Sequence, residues 1–347
     1  LVARGLQAEN IRILPLAVRD DSTTTAVDES IWAKNGNDPE LVERIDAADL
    51  IWFTGGDQSR ITQVLGDAAE PSAVLTALYK HLKEGGTIGG TSAGAAIMSP
   101  EMLIGGSSAG ALSMGIGQTA SVNQEDGRLY MGAGLGFLPN SLIDQHFDAK
   151  ARLGRLILAG LQPGAPRAPG FGIDENTALV VNLAAKTAKV AGAGQVTYLD
   201  FAEADIDAQP DFAPPYRIKN IRLSSLGAGD QIHLETSAID PAKDKAPTLG
   251  HEYYRITAPK SSGVLSGFGT LRELISKKLV DNQLSKKATS YLILPEQEYS
   301  YQLMFSQTES SRGFWTYRDG QVDHYTVIDL RLDIQPIKVE LAPLQKN

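Results

Sequence analysis

Across the first 200 residues, apolar strand-like runs alternate with segments of helical spacing, and that alternation leaves few architectures open. A strand that returns through a helix to the same sheet pairs in parallel, so the pattern predicts an α/β domain with a parallel central sheet and helices on its faces. Asp38 and Pro39 open one helix, with Leu41, Val42 and Ile45 along one side. Leu50-Ile51-Trp52-Phe53, closed by Gly55-Gly56, is expected to be a buried strand. Helical spacing resumes from Asp57 to Leu65, and again after the cap Ser72 through Leu75, Leu78, Tyr79 and Leu82 to a stop at Gly85-Gly86. Thr87-Ile88-Gly89-Gly90 reads as a short strand entering a turn of small residues.

Before this, Leu1 to Asn10 reads as a helix tail feeding a strand at Ile11 to Ala17, so something upstream, a targeting signal included, is expected to be missing. Beyond it, Gly105 to Gly136 reads as a Gly-rich loop, Ser141 to His146 as a strand end and Lys150 to Leu158 as a helix stopping at Gly160. Leu161 to Gly170 is a Pro/Gly-rich connection to Gly172-Ile173-Asp174-Glu175-Asn176-Thr177 and a strand at Ala178 to Val181. After residue 200 the texture changes: 14 of the 23 aromatics lie there, in short β-like runs at Tyr291 to Leu294, Tyr299 to Phe305, Gly313 to Tyr317 and His324 to Ile328. A helix is expected near Leu271 to Leu279, and a linker at Pro210, Pro214 and Pro215. Two domains follow from this, an α/β domain over 1–200 and a smaller β-rich accessory domain over 201–347.

Lys and Arg number 32 against 41 Asp and Glu, a net charge of -9, and a surface that tracks phosphates needs the opposite balance, so nucleic acid is not an expected partner. With Cys at 0 there is no disulfide, no thiolate metal site and no cysteine nucleophile. A covalent catalyst must then be an oxygen or a lysine. No apolar run reaches the roughly 18 residues of a membrane span, so no membrane partner is expected. A cysteine-free chain with an extra domain slightly favours a secreted or periplasmic location over the cytoplasm.

The strongest local signal is Gly90-Thr91-Ser92-Ala93-Gly94, between a predicted strand and a helix at Ala95 to Met98. Glycines on both sides of a serine permit the sharp turn that projects its hydroxyl over the end of a sheet, with the next N–H facing the same spot. Such a turn also serves as a plain connection, but both flanking elements favour the nucleophile. Its base must be His81 or His146, the two histidines of the first 200 residues. His81 sits between Lys80 and Lys83 at a helix end, where a surface role is enough. His146 ends a strand within Asp144-Gln145-His146-Phe147, where open α/β sheets place ligands. Asp174 and Glu175 are adjacent candidates for the acid that orients the imidazole, and only one of them should reach it. The order serine, histidine, acid departs from that of α/β-hydrolases.

Four runs, Phe53-Thr54-Gly55-Gly56-Asp57-Gln58, Gly90 to Ala95, Asp144-Gln145-His146-Phe147 through Arg152 and Arg155-Leu156, and Gly172 to Ala178, resemble the motifs of cyanophycinases in the same order. The resemblance covers about residues 9–195. It implies a flavodoxin-like sandwich related to class I glutamine amidotransferases, with Ser92 as nucleophile, His146 as base and Glu175 as the acid. Backbone N–H groups of Gly56 and Ala93 would form the oxyanion hole. Gln58, Asp144, Gln145, Arg152 and Arg155 would line the substrate pocket, and no cofactor or metal is implied. Family members carry arginine where this chain has Lys150, which lacks the bidentate fork.

The implied activity is serine-type release of β-Asp-Arg dipeptides from cyanophycin, a poly-aspartate whose β-carboxyls carry arginines. Arg152 and Arg155, three apart on one predicted helix, would grip carboxylates, while Asp144 would attract the guanidinium. The plainer reading pairs Asp148 with Arg152 on a solvated helix face. Rival readings are an α-aspartyl dipeptidase of the same family and a non-catalytic cyanophycin or β-aspartyl peptide binder. Amidotransferase chemistry would need a cysteine in the turn. A homodimer stays open, with the later aromatics serving as an interface, as a polymer-binding surface or as plain core.

Overall fold

The computed structural model describes residues 5–118, 127–267, 269–318 and 322–340. Leu1 to Arg4 of the expected helix tail and residues 119–126 of the expected Gly-rich loop lie outside them. Contacts divide the chain into two compact units, one of residues 1–101 with 133–137, the other of 102–132 with 138–347.

In the first unit, α1 (Pro39–Asp46) starts where Asp38 accepts the Glu40 N–H and buries Leu41 and Ile45. Strand β1 (Leu50–Phe53) pairs in parallel with β2 (Thr87–Gly90), with Ile51 opposite Ile88. Only Ile51 of β1 is buried. Leu50 and Trp52 remain 44% and 47% exposed, so the strand is half-buried rather than buried, as alternation in a two-stranded pair dictates. Between these strands lie α2 (Gln58–Leu65), capped by Asp57, and α3 (Ala73–Lys83), where Ser72 Oγ accepts the Leu75 N–H at 3.1 Å. His81, expected at the surface, is buried with Nε2 3.4 Å from Thr87 O, because α3 turns that face inward. The expected strand at Ile11 to Ala17 does not form. Ile13 is 77% exposed, and no strand among the described residues pairs there.

The second unit holds β3 (Glu101–Gly105), α5 (Ser108–Met114) and β4 (Tyr130–Ala133) within and beside what the sequence presents as a loop. Helix α4 (Ala93–Ala96) belongs to the first unit. The small residues that suggested a loop serve close packing instead, since a methyl added at Gly154 would meet Ser108 Cβ at 2.9 Å. Strands β5 (Leu142–Gln145) and β6 (Gly170–Ile173) run parallel, joined by α6 (Leu153–Leu161), which is buried on every side. β7 (Thr177–Asn182) and β8 (Thr187–Gly192) form a hairpin. β6 then pairs antiparallel with β9 (Val196–Asp200), and β9 with β11 (Ala213–Leu226), which β10 (Asp205–Gln209) also joins. The sheet continues antiparallel through Val322–Ile337, Ser300–Ser306 and Lys287–Leu292.

This sheet is mixed. The parallel order expected from strand–helix alternation holds at β5/β6 and in the separate β1/β2 pair; Lys260–Ser261 also runs parallel to Lys287–Leu292, and the other pairings named for this sheet are antiparallel. Leu199 stands opposite Leu223, and one core gathers Leu142, Leu156, Leu223, Leu303 and Leu332. Pro214 and Pro215, expected in a linker, lie among the opening residues of β11, where a missing N–H is tolerated. The helix expected near Leu271 begins as α7 (Leu271–Ile275) and widens into a π turn at Ser276–Val280. Of the later aromatics, Tyr301, Phe305 and Tyr325 are core, whereas Trp315 and Tyr317 are exposed.

Candidate active site

Ser92 occupies the turn between β2 and α4 with φ 55° and ψ -116°, a conformation a serine holds only when its surroundings force it. Those surroundings are tight. A methyl on Gly94 would lie 2.5 Å from the Phe53 carbonyl oxygen, and one on Gly55 would lie 3.1 Å from Ser92 Cβ and 3.6 Å from its Oγ. The Thr91 N–H donates to Phe53 O at 3.1 Å, tying the turn to β1. Gly56 has φ 134°, Ala93 opens α4 and Gln58 is buried at the start of α2. The first unit thus places Gly56 and Gln58 in the turn from β1 into α2, and Ser92 and Ala93 in the turn from β2 into α4, after two strands that pair in parallel.

In the second unit, the parallel strands β5 and β6 end side by side, with Gln145 opposite Ile173. His146 follows at φ 50°, and its Nδ1 makes a short hydrogen bond with Glu175 Oε1. His146 is 28% exposed and Glu175 53%. Of the two adjacent acids, Glu175 is therefore the one at the imidazole. Asp174 points the other way: its Oδ1 accepts the Asp148 N–H at 3.2 Å and its Oδ2 the Gln195 N–H at 2.9 Å. Burial pushes the Asp174 carboxyl up, opposed by those two N–H donors.

The cations beside this pair are already engaged. Arg155 is buried and donates to both oxygens of Asp144 and, through Nη1, to Gly106 O at 2.7 Å. Arg152 places Nη1 3.3 Å from Asp144 Oδ1 and donates to Gln145 O. Burial lowers the Arg152 guanidinium to about 10, against the attraction of Asp144. Asp144 is 1% exposed, so its carboxylate serves these two arginines first. Gln145 Oε1 is buried without a hydrogen-bond partner among the described residues. Lys150 is exposed in the turn after His146.

The Asp148–Arg152 pair expected of a helix face does not form. Helix α6 starts at Leu153, and residues 146–151 make a turn with His146 and Ala151 at positive φ, so the spacing of four is not helical there. Asp148 instead faces Asp174. Burial first, then the Asp174 charge, pushes its carboxyl up to about 6, with Arg272 opposing. Sequence reasoning did not single out Asp148 or Arg272 in this role, because their meeting depends on a contact across more than 120 positions of the chain.

The model of Peptidase family S51 matches residues 29–187. The cyanophycinase of Nostoc sp. is 33% identical over 238 residues, covering 68% of this chain and 69% of that protein. The cyanophycinase of Trichormus variabilis aligns with the same identity and coverage. That of Geminocystis herdmanii is 33% identical over 58% of this chain and 68% of its own length. A crystal structure of a peptidase from an acI-B1 Actinobacterium aligns with 57% of this chain and 65% of that one, at 22% identity and a TM-score of 0.38. With the strand-end serine turn and the His146–Glu175 pair already in view, these relatives place the chain in peptidase family S51, the cyanophycinases, as a serine peptidase.

Proposed function

We propose that the protein hydrolyses cyanophycin to β-Asp-Arg dipeptides by acyl transfer to Ser92. The observation that carries this reading is the forced conformation of Ser92, hemmed in by Gly55 and Gly94, since strain of this kind is sustained where a reaction uses it. Ser92 Oγ attacks the scissile carbonyl while His146 takes its proton. Glu175, on Nδ1, fixes the imidazole and stabilises its charged form. The N–H groups of Gly56 and Ala93 hold the oxyanion. His146 then gives its proton to the leaving amine and, acting as base, activates the water that releases the acyl group.

Substrate binding falls to Gln58, Asp144, Gln145, Lys150, Arg152 and Arg155 in this reading. The orphan acceptor Gln145 Oε1 suits a donor such as the substrate guanidinium. Arg152 and the exposed Lys150 suit carboxylates. Arg155 contributes by holding Asp144 in place. The catalytic chemistry lies within 1–200, on a flavodoxin-like arrangement, and 201–347 has an accessory role.

Mass spectrometry of products from insoluble cyanophycin tests this directly. Wild-type protein is expected to release β-Asp-Arg and to leave the α-aspartyl dipeptide Asp-Leu intact, whereas Ser92→Ala is expected to release nothing while remaining folded. Cleavage of Asp-Leu alone, or full turnover without the Ser92 hydroxyl, refutes the assignment.

A further inference from the structure

Residues 201–347 meet the turn that carries His146 at one defined place. Asp148 O accepts the Gly269 N–H at 2.8 Å, and a methyl on Gly269 would stand 2.4 Å from Asp148 Oδ1 and 2.8 Å from Asp148 O, so a side chain there must displace the turn. The Leu271 backbone and the Arg272 charge both favour the ionised Asp148 carboxylate, and the Arg272 charge acts on Asp174 as well. Arg272 is itself anchored through Nη2 to Asp323 O at 3.1 Å.

Asp174 is the centre of a second set of ties. Besides accepting from Asp148 and Gln195, it donates its own N–H to Gln195 O at 3.1 Å, and the Phe147 N–H donates to Ile173 O at 3.1 Å. Gln195 in turn donates through Nε2 to Tyr325 O at 3.1 Å and accepts from Ser225 Oγ. His146 therefore stands at φ 50° on a turn held on one side by Asp174 and on the other by Gly269 to Arg272. A left-handed histidine at a strand end has no preferred direction of its own, and these ties supply one.

We infer that Asp174, Gly269 and Arg272 form a latch that orients His146 toward Glu175, making Asp174 and Arg272 positioning residues for the reaction and giving residues 201–347 a part in it. The inference rests on the catalytic roles proposed above. It predicts that loosening the latch slows proton transfer without weakening substrate binding, because none of the three residues needs to touch substrate. The conserved charge of lysine at position 272 should keep most of the effect that methionine loses.

The experiment compares Asp174→Asn, Gly269→Ala, Arg272→Met and Arg272→Lys with wild type in the full chain. For the first three, kcat on a soluble β-Asp-Arg oligomer is expected to fall about ten- to a hundredfold with KM within about twofold, in line with the penalty for a misplaced catalytic group. Labelling of Ser92 by a serine-directed phosphonate should slow in parallel, and Arg272→Lys should recover both. Proton NMR reads the latch independently of turnover: the His146 Nδ1 proton, identified by its loss in His146→Gln, should shift in the same three variants. An unmoved resonance with unchanged labelling overturns the inference. A shifted resonance in a protein whose wild type neither labels nor cleaves supports the latch and refutes the peptidase roles instead.

Discussion

Arg155 sets two nitrogens on the carboxylate of Asp144, Nε on Oδ2 at 2.7 Å and Nη2 on Oδ1 at 2.5 Å. Both side chains are nearly sealed from water, at 5% and 1% exposure. The pair joins the end of β5 to α6, just before the residue proposed as the base. Its geometry is the planar fork that a guanidinium makes and an ammonium cannot.

Removing one member of such a pair leaves the other charge buried and poorly compensated, at a typical penalty of about 3–5 kcal/mol. Arg155→Met is therefore expected to lower the unfolding free energy by that order, and Arg155→Lys by a large part of it. Urea unfolding measures this. A loss below about 1 kcal/mol would mean that Arg152 alone satisfies Asp144, and that Arg155 is available for some other contact.

The turn at Ser92 makes a sharper demand. A methyl at Gly94 would press to 2.5 Å on Phe53 O and 2.7 Å on Phe53 Cβ, so the turn or β1 must move. A displacement near 1 Å of a catalytic group costs on the order of a hundredfold in rate. Gly94→Ala is expected to lower kcat by about that factor, and wild-type kinetics in the variant would show that the contact yields easily.

The serine turn was legible in the sequence because its determinants are local: the glycines at 90 and 94, a strand before it and a helix after it. The helix limits at Asp38, Asp57 and Ser72 were legible for the same reason, each being a capping side chain within three residues of the N–H it accepts. Asp174 and Glu175 could not be told apart by spacing. What separates them is that Asp174 meets Asp148 and Gln195, which only the paired ends of β5, β6 and β9 bring near. The helix within Ser108–Met114 was hidden because glycine and serine carry weak helical preference, and close packing against α6 overrides it. The strand at Ile11 to Ala17 failed for the converse reason: apolar residues alone do not form a strand without a neighbour to accept their hydrogen bonds.

Asp148 gives a pH-dependent stability of defined sign. Burial and the Asp174 charge push its carboxyl from 3.8 up to about 6, so between those values the folded chain binds more protons than the unfolded one. Its contribution is complete below the lower value and lost as pH rises through about 6. Asp148→Asn removes the group, and should flatten that part of the profile and stabilise the protein above pH 6 relative to wild type. Urea midpoints from pH 4 to 8 provide the check, and a wild-type-minus-variant difference that does not change with pH would place Asp148 in water. Asp174, also pushed up by burial, retains its own share in both proteins.

Lys150 is the position at which this chain departs from the arginine that the resemblance to cyanophycinases led us to expect. It lies exposed in the turn between His146 and α6, its N–H donating to His146 O at 3.1 Å, so its side chain leaves from the backbone beside the proposed base. Because α6 begins only at Leu153, Lys150 does not sit on the first turn of that helix, and the helix dipole gives its charge no penalty that substitution would relieve. If it grips a substrate carboxylate, its ammonium supplies a point charge where arginine would supply two parallel donors. Lys150→Arg is then expected to lower KM for a β-Asp-Arg oligomer. Lys150→Met should raise KM by roughly tenfold or more with a smaller change in kcat, since a charge-assisted hydrogen bond contributes about 1.5–3 kcal/mol. KM unchanged in both variants would remove Lys150 from the pocket and leave Arg152 as the carboxylate grip.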